Sequence, residues 1–319
     1  GCTLGDLVRN EKLRSDIETA LDHIREKSVS VNALLVVGTP LNYRNLVFDA
    51  YAAIREGHII GFAVNPNPSD IRNFATPVQG LSCSVRLCGE EIPVVESLTL
   101  DVFGAALAIQ SLESASTADA DIIFCPSAYT EVAGRKAELL QLTARRSAHI
   151  GGAVVMASAG KGESTTDALY AGHALIAADG NIIAEKHRTT GTLTADIDIQ
   201  VLKEARKNKV SAFGGTVSNS TDSPDSDLSN CSASTLKLAV SPSPFITGPE
   251  VFEDTFYIQT ESLITRLEHT GIRKLVIGIS GGLDSTLALL VCVNAFDRMG
   301  ISRKDITGIT MPGFGTTDR

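Results

Sequence analysis

Apolar positions in the first 200 residues fall into short dense runs rather than long stripes. "ALLVVGTP" (33–40), "HIIGFAV" (58–64), "ADIIFCPSA" (120–128) and "GGAVVMASAG" (151–160) each end at Gly, Pro or a small residue. Runs of this length with turn residues at their ends predict buried strands. A helical pattern fills about 131–149, and "GHALIAADGNIIAEK" (172–186) reads as two strands joined at Asp179-Gly180, a hairpin turn. Strands and helices mixed in this way predict a layered α/β unit.

The pattern changes twice further on. "GGTVSNSTDSPDSDLSNCSAS" (214–234) has almost no large apolar residue, so it buries too little surface to offset its ordering entropy. It marks a Ser/Asp-rich linker, bounded at 208–243, between a unit at 1–207 and another at 244–319. In the second unit Phe252, Phe256, Leu263 and Leu267 recur at near-helical intervals, with Gly271 as the stop. A strand at 274–279, a helix at 284–299 and a strand at 306–311 follow. That is one βαβ unit, for which a parallel pair and a right-handed crossover are expected.

Composition narrows the function class. A net charge of −9 argues against nucleic acid or an anionic membrane as the main partner. The six cysteines include no CxxC pair, and no apolar stretch approaches the roughly 18 residues of a membrane helix. Absence of a secretory pattern adds to the expectation of a cytoplasmic protein. Three charged or imidazole-bearing segments carry bland expectations. The run 131–146 reads as the solvated face of a helix, His173 as a packed core residue, and His187-Arg188 as a surface loop.

"VIGISGGLDSTLALL" (276–290) is different, because a buried strand has no need of Ser-Gly-Gly before a helix. Two glycines let the backbone turn tightly and approach a ligand. The helix that follows turns its unpaired N–H groups into the loop, and Ser280, Ser285 and Thr286 add hydroxyls. The loop lacks the lysine of GxxxxGK[ST] and does not fit GxGxxG. Asp284 would repel a bare phosphate, which points to Mg²⁺ between the two. The competing reading is a Gly turn with Asp284 or Ser285 capping the helix.

SGGLDS resembles the pyrophosphate loop of the ATP pyrophosphatases. The stretch from "HTGIRKLVIGISGGLDS" through "GITMPGFGTTDR" resembles the start of the synthetase domain of the glutamine-dependent NAD synthetases. The fold implied is a nitrilase-like α/β sandwich followed by the start of a parallel-sheet, Rossmann-like ATP-pyrophosphatase domain. The activity implied is adenylation of deamido-NAD by ATP and displacement of AMP by ammonia drawn from glutamine. Ser280, Gly281, Gly282, Leu283, Asp284 and Ser285 would hold ATP and its pyrophosphate, Asp284 the Mg²⁺, and Met311-Pro312 would border the site. A homo-oligomer is also implied.

Residues 1–200 resemble the nitrilase-like glutaminase of that family, which uses a Glu-Lys-Cys triad. The Glu would precede Gly1, Asn65 stands at the Lys position and Thr99 at the Cys position. Cys125 and Cys88 read as structural thiols rather than substitutes. The expectation is a degenerate glutaminase, free ammonia as nitrogen donor, and a chain cut from a longer polypeptide. The alternatives are another ATP-adenylating amidating enzyme and a non-catalytic pseudo-amidohydrolase that serves oligomerisation.

Overall fold

The computed structural model describes residues 4–68, 70–102, 104–114, 120–163, 168–212 and 248–311. The "FGTTDR" run, Pro312, Gly1 and most of the linker lie outside the described residues.

Strands β1 (Leu35–Tyr43), β2 (Leu46–Arg55), β3 (His58–Val64), β4 (Ser82–Leu87) and β5 (Glu90–Val95) form one sheet in the order β1-β2-β3-β5-β4. A second sheet takes β6 (Leu98–Val102), β7 (Ala105–Ile109), β8 (Ile122–Ser127), β9 (Ala153–Ser158), β10 (Ala174–Ala178) and β11 (Asn181–Lys186), in the order β11-β10-β9-β8-β7-β6. The run 33–40 does not stop at its proline, because β1 is an edge strand. An edge position tolerates the missing N–H of Pro40.

Side-chain alternation makes the layers. Ala50, Ala52 and Ile54 of β2 pack with Leu21 of helix α1 (Glu11–Ser28), while the intervening Tyr51 and Ala53 meet Leu98 and Ile109 of the other sheet. The outer face of that sheet presents Ile123, Cys125, Val154 and Met156 to Leu139 of helix α2 (Arg135–Ile150). The order is therefore helix, sheet, sheet, helix. Close approach of the sheets explains one glycine: a Cβ on Gly61 would lie 2.9 Å from Leu98 Cδ1. The Asp179-Gly180 turn joins β10 to β11, with φ of 47° and 87°. Helix α3 (Ile199–Ala212) closes this part, with Arg206 Nη2 donating to Ala120 O at 3.0 Å.

Helix α4 (Glu250–Thr270), β12 (Leu275–Gly278), helix α5 (Leu283–Met299) and β13 (Ile306–Ile309) complete the described chain. β12 and β13 pair in parallel, Leu275 opposite Ile306. α4 and α5 are linked by Asn294 Nδ2 donating to Thr260 Oγ1 at 3.2 Å and by Arg298 with Glu261 at 2.6 Å. One apolar side of this unit is open, with Val276 69% and Leu290 53% exposed. Among the described residues no helix is long and apolar enough to cross a membrane.

Candidate functional site

The loop between β12 and α5 is built from its own hydroxyls. Ser280 N–H donates to Ser285 Oγ at 3.3 Å, and the two serine hydroxyls lie 3.1 Å apart. Ser285 Oγ and Thr286 Oγ1 donate to the Gly282 carbonyl at 3.1 and 2.9 Å. The Thr286 N–H reaches the same oxygen at 3.2 Å. That carbonyl is thereby drawn back into the first turn of α5, while the first N–H groups of a helix have no intrahelical acceptor. Gly281 sits at φ +81°, a left-handed conformation that favours glycine. No side chain caps α5; Gly282 is its N-cap residue, so neither Asp284 nor Ser285 takes the capping role. Ser280 through Asp284 are exposed, and Met311, past the end of β13, is 82% exposed.

A single exposed Asp284 carboxylate at this terminus, with no cluster of three or more metal-ligating side chains among the described residues, does not cage an ion. It fits Mg²⁺ that arrives on phosphates, since Mg²⁺ is commonly held by one or two carboxylates together with substrate oxygens.

A cavity of about 560 Å³ opens between the two sheets at the carboxyl ends of β3, β7, β8 and β9. Asn65 is on its wall, its Nδ2 donating to Asp49 Oδ2 at 2.8 Å. Thr99 is not. It is an exposed residue on β6, the edge strand, paired with Ala108. Ser111 and Glu113, just past β7, reach the cavity instead. β6 and β7 are adjacent short apolar strands, and only β7 runs parallel to β8, whose end also lines the cavity.

The described lining contains no cysteine, lysine, arginine or histidine. Cys125 points into the core beneath α2, and burial pushes its thiol up to about 12. Cys88 lies in the exposed β4–β5 turn; burial and then Asp22 raise its thiol. Iodoacetamide at pH 8 is expected to label Cys88 and spare Cys125 in the folded protein. Peptide mass mapping checks this, and equal labelling would contradict the burial of Cys125.

The charged run 131–146 differs from its expectation at its first residue. Glu131 precedes α2 and its side chain is fully buried. His173 Nε2 lies 2.5 Å from Glu131 Oε2, and Arg188 Nη2 is 2.9 Å from Oε1. Burial pushes the Glu131 carboxyl up, but His173 and Arg188 outweigh it and hold it below its ordinary value. Arg188 is no loop ornament. It also pairs with Asp254 of α4 at 2.6 Å and stacks over the Tyr257 ring at 4.3 Å. The sandwich and α4 thus share the Arg188 guanidinium, which ties buried Glu131 to Asp254. His173 and Arg188 lie 42 and 57 residues from Glu131, beyond any local pattern.

Comparison with known proteins supplies the context. Residues 257–319 match the NAD synthase family model. The glutamine-dependent NAD(+) synthetase of Mycobacterium tuberculosis is 28% identical over 354 residues, 99% of this chain and 51% of the relative. That of Mycobacterium leprae is 27% identical over 358 residues, 100% and 52% respectively. The chain spans about half the length of the curated relatives it matches. The fold is shared with a glutamine-dependent NAD(+) synthetase of Cytophaga hutchinsonii (TM-score 0.67, 15% identity, 92% of this chain and 43% of that one). It is shared equally with that of Acinetobacter baumannii in complex with adenosine diphosphate (TM-score 0.68, 15% identity, 99% and 52%).

Proposed function

We propose that this chain, a homologue of the glutamine-dependent NAD(+) synthetases along nearly its whole length, carries the ATP-binding start of a carbon–nitrogen ligase. The reaction amidates deamido-NAD to NAD. The nicotinate carboxylate attacks the α-phosphate of ATP and pyrophosphate leaves; ammonia then attacks the acyl adenylate and AMP leaves. The strand–SGGLDS–helix geometry is the observation that carries this reading. With the Gly282 carbonyl drawn back and the Gly282 N–H donating to Ser280 Oγ at 3.4 Å, the backbone N–H groups of Gly281 and of Leu283–Ser285 would face a pyrophosphate. Asp284 would hold Mg²⁺, which when bound offsets phosphate charge. Leu283, 89% exposed, and Met311 would border the nucleotide.

Free ammonia is the nitrogen donor we infer. Glutamine hydrolysis in the manner of a Glu-Lys-Cys triad needs a nucleophilic thiol and a cation, and the described cavity lining offers neither. Domain limits of 1–207 and 244–319 about a 208–243 linker belong to the same reading.

The test uses protein from the complete reading frame, supplied with deamido-NAD, ATP and Mg²⁺. NAD formation with ammonium and none with glutamine is expected. Equal rates with both donors would overturn the inferred loss of the glutaminase, and no NAD with either would overturn the ligase.

A further inference from the structure

Two stacked imidazoles stand beside the tie between the sandwich and α4. The His173 and His187 rings lie 6.4 Å apart with 17° between their planes. His173, just before β10, is buried against Glu131, whereas His187, just past β11, is half-buried and within reach of solvent protons. The next residue is Arg188, whose guanidinium reaches Asp254 on α4. Arg188 sits in the left-handed region at φ 56°, a conformation that a residue with a side chain keeps only where its surroundings hold it. Its N–H donates to Ala171 O at 2.9 Å, and its side chain engages Glu131, Asp254 and the Tyr257 ring. A further ion pair from α4 to the sandwich, Lys161 with Glu268 at 3.0 Å, is exposed and contributes little.

His187 faces Lys136 of α2, Glu185 of β11, His173 and Arg188, and behind Arg188 stand Glu131, Asp254 and Tyr257. Each of these carboxylates already has a partner. Glu185 receives Lys136 at 3.3 Å, Glu131 receives His173 and Arg188, and Asp254 receives Arg188 and the Gly134 N–H. Burial, and after it Lys136, hold the His187 ring below its ordinary pKa, and Glu185 offsets only part of that. An imidazolium at this position meets cations while the facing carboxylates are engaged elsewhere. Outward movement of residues 187 and 188 relieves that repulsion, and it takes Arg188 from Asp254.

We propose that the His173–His187 stack is a proton-sensitive latch: a proton taken up by His187 withdraws Arg188 from Asp254 and frees α4 from the sandwich. The docked state binds that proton less readily than the released state, in which His187 returns to an ordinary value of about 6.5. Docking is therefore complete above that value, weakens as pH falls through it, and levels off below the docked value. Glu131, held below an ordinary value of about 4.3, titrates in a separate and lower window. The latch stands on the stack and the Arg188 contacts, and not on the ATP loop.

Amide hydrogen exchange of the full chain, read by mass spectrometry and corrected for intrinsic rate, is compared at about pH 7.5 and about pH 5.5. These values lie on either side of the ordinary histidine value and above that of a carboxylate. Peptides from α4 are expected to lose protection by at least about fivefold at the lower pH, the low end of ordinary coupling between two sites, while peptides from β2 hold theirs. His187→Gln, which keeps a neutral polar side chain, should hold α4 protection at both pH values, and Arg188→Ala should lose it at both. His187→Phe tests the same point where the glutamine variant fails to fold. Protection of α4 that does not change with pH in the unsubstituted chain, the same change in His187→Gln or His187→Phe, or an equal loss in β2 would each overturn the latch.

Discussion

Glu131→Ala is expected to lower the free energy of unfolding by about 3–5 kcal/mol, the usual cost of leaving buried charge without its partner. Its side chain is fully buried, and it receives His173 at 2.5 Å and Arg188 at 2.9 Å. Removing the carboxylate strands a guanidinium whose remaining partners are Asp254 and the Tyr257 ring, both on α4. Urea titration followed by circular dichroism measures the loss, and a change under about 1 kcal/mol would contradict the buried ion cluster. The same carboxylate predicts acid lability. Its folded pKa lies below its ordinary value, so its stabilising contribution is complete above the unfolded value of about 4.3 and is lost as pH falls through the folded one. Glu131→Ala should therefore flatten the fall in stability below about pH 4.3.

Asp284→Ala should reduce NAD formation in protein from the complete reading frame by about 10²–10³-fold, the range seen when one preorganised electrostatic group is removed from an active site. The expectation rests on the proposed phosphate site. Asp284 is exposed at the start of α5, within a loop held by the Ser280, Ser285 and Thr286 hydroxyls. None of the described hydrogen bonds that shape this loop uses the Asp284 side chain. Folding should accordingly be unchanged while activity falls, a separation that a thermal melt beside the rate assay would show. A loss below threefold would remove Asp284 from the metal–phosphate role.

Legibility followed sequence distance. β3 occupies 58–64, as its run predicts, and the Asp179-Gly180 hairpin and the strand–loop–helix about SGGLDS form where local patterns place them. Each depends on neighbours a few residues away. Glu131 was opaque because a carboxylate is solvated by default until its partners are known, and these come from 42 and 57 residues further on. The resemblance sets Thr99 at the Cys position, yet Thr99 lies on β6 off the described cavity wall, because strand pairing puts β7 and not β6 beside β8. The cavity itself was invisible for the same reason. Asp49 and Glu113 meet around one space only after two sheets have stacked.

The shared guanidinium also bears on how such a chain could drift over generations. A sandwich whose hydrolytic chemistry has lapsed, as proposed here, would ordinarily be free to erode. Here Arg188 spans from Glu131 to Asp254, so decay on one side exposes a charge on the other. A substitution at Glu131, His173 or Arg188 would then be felt by the helix-bearing half, whereas Asn65 lies on the cavity wall, away from this pairing.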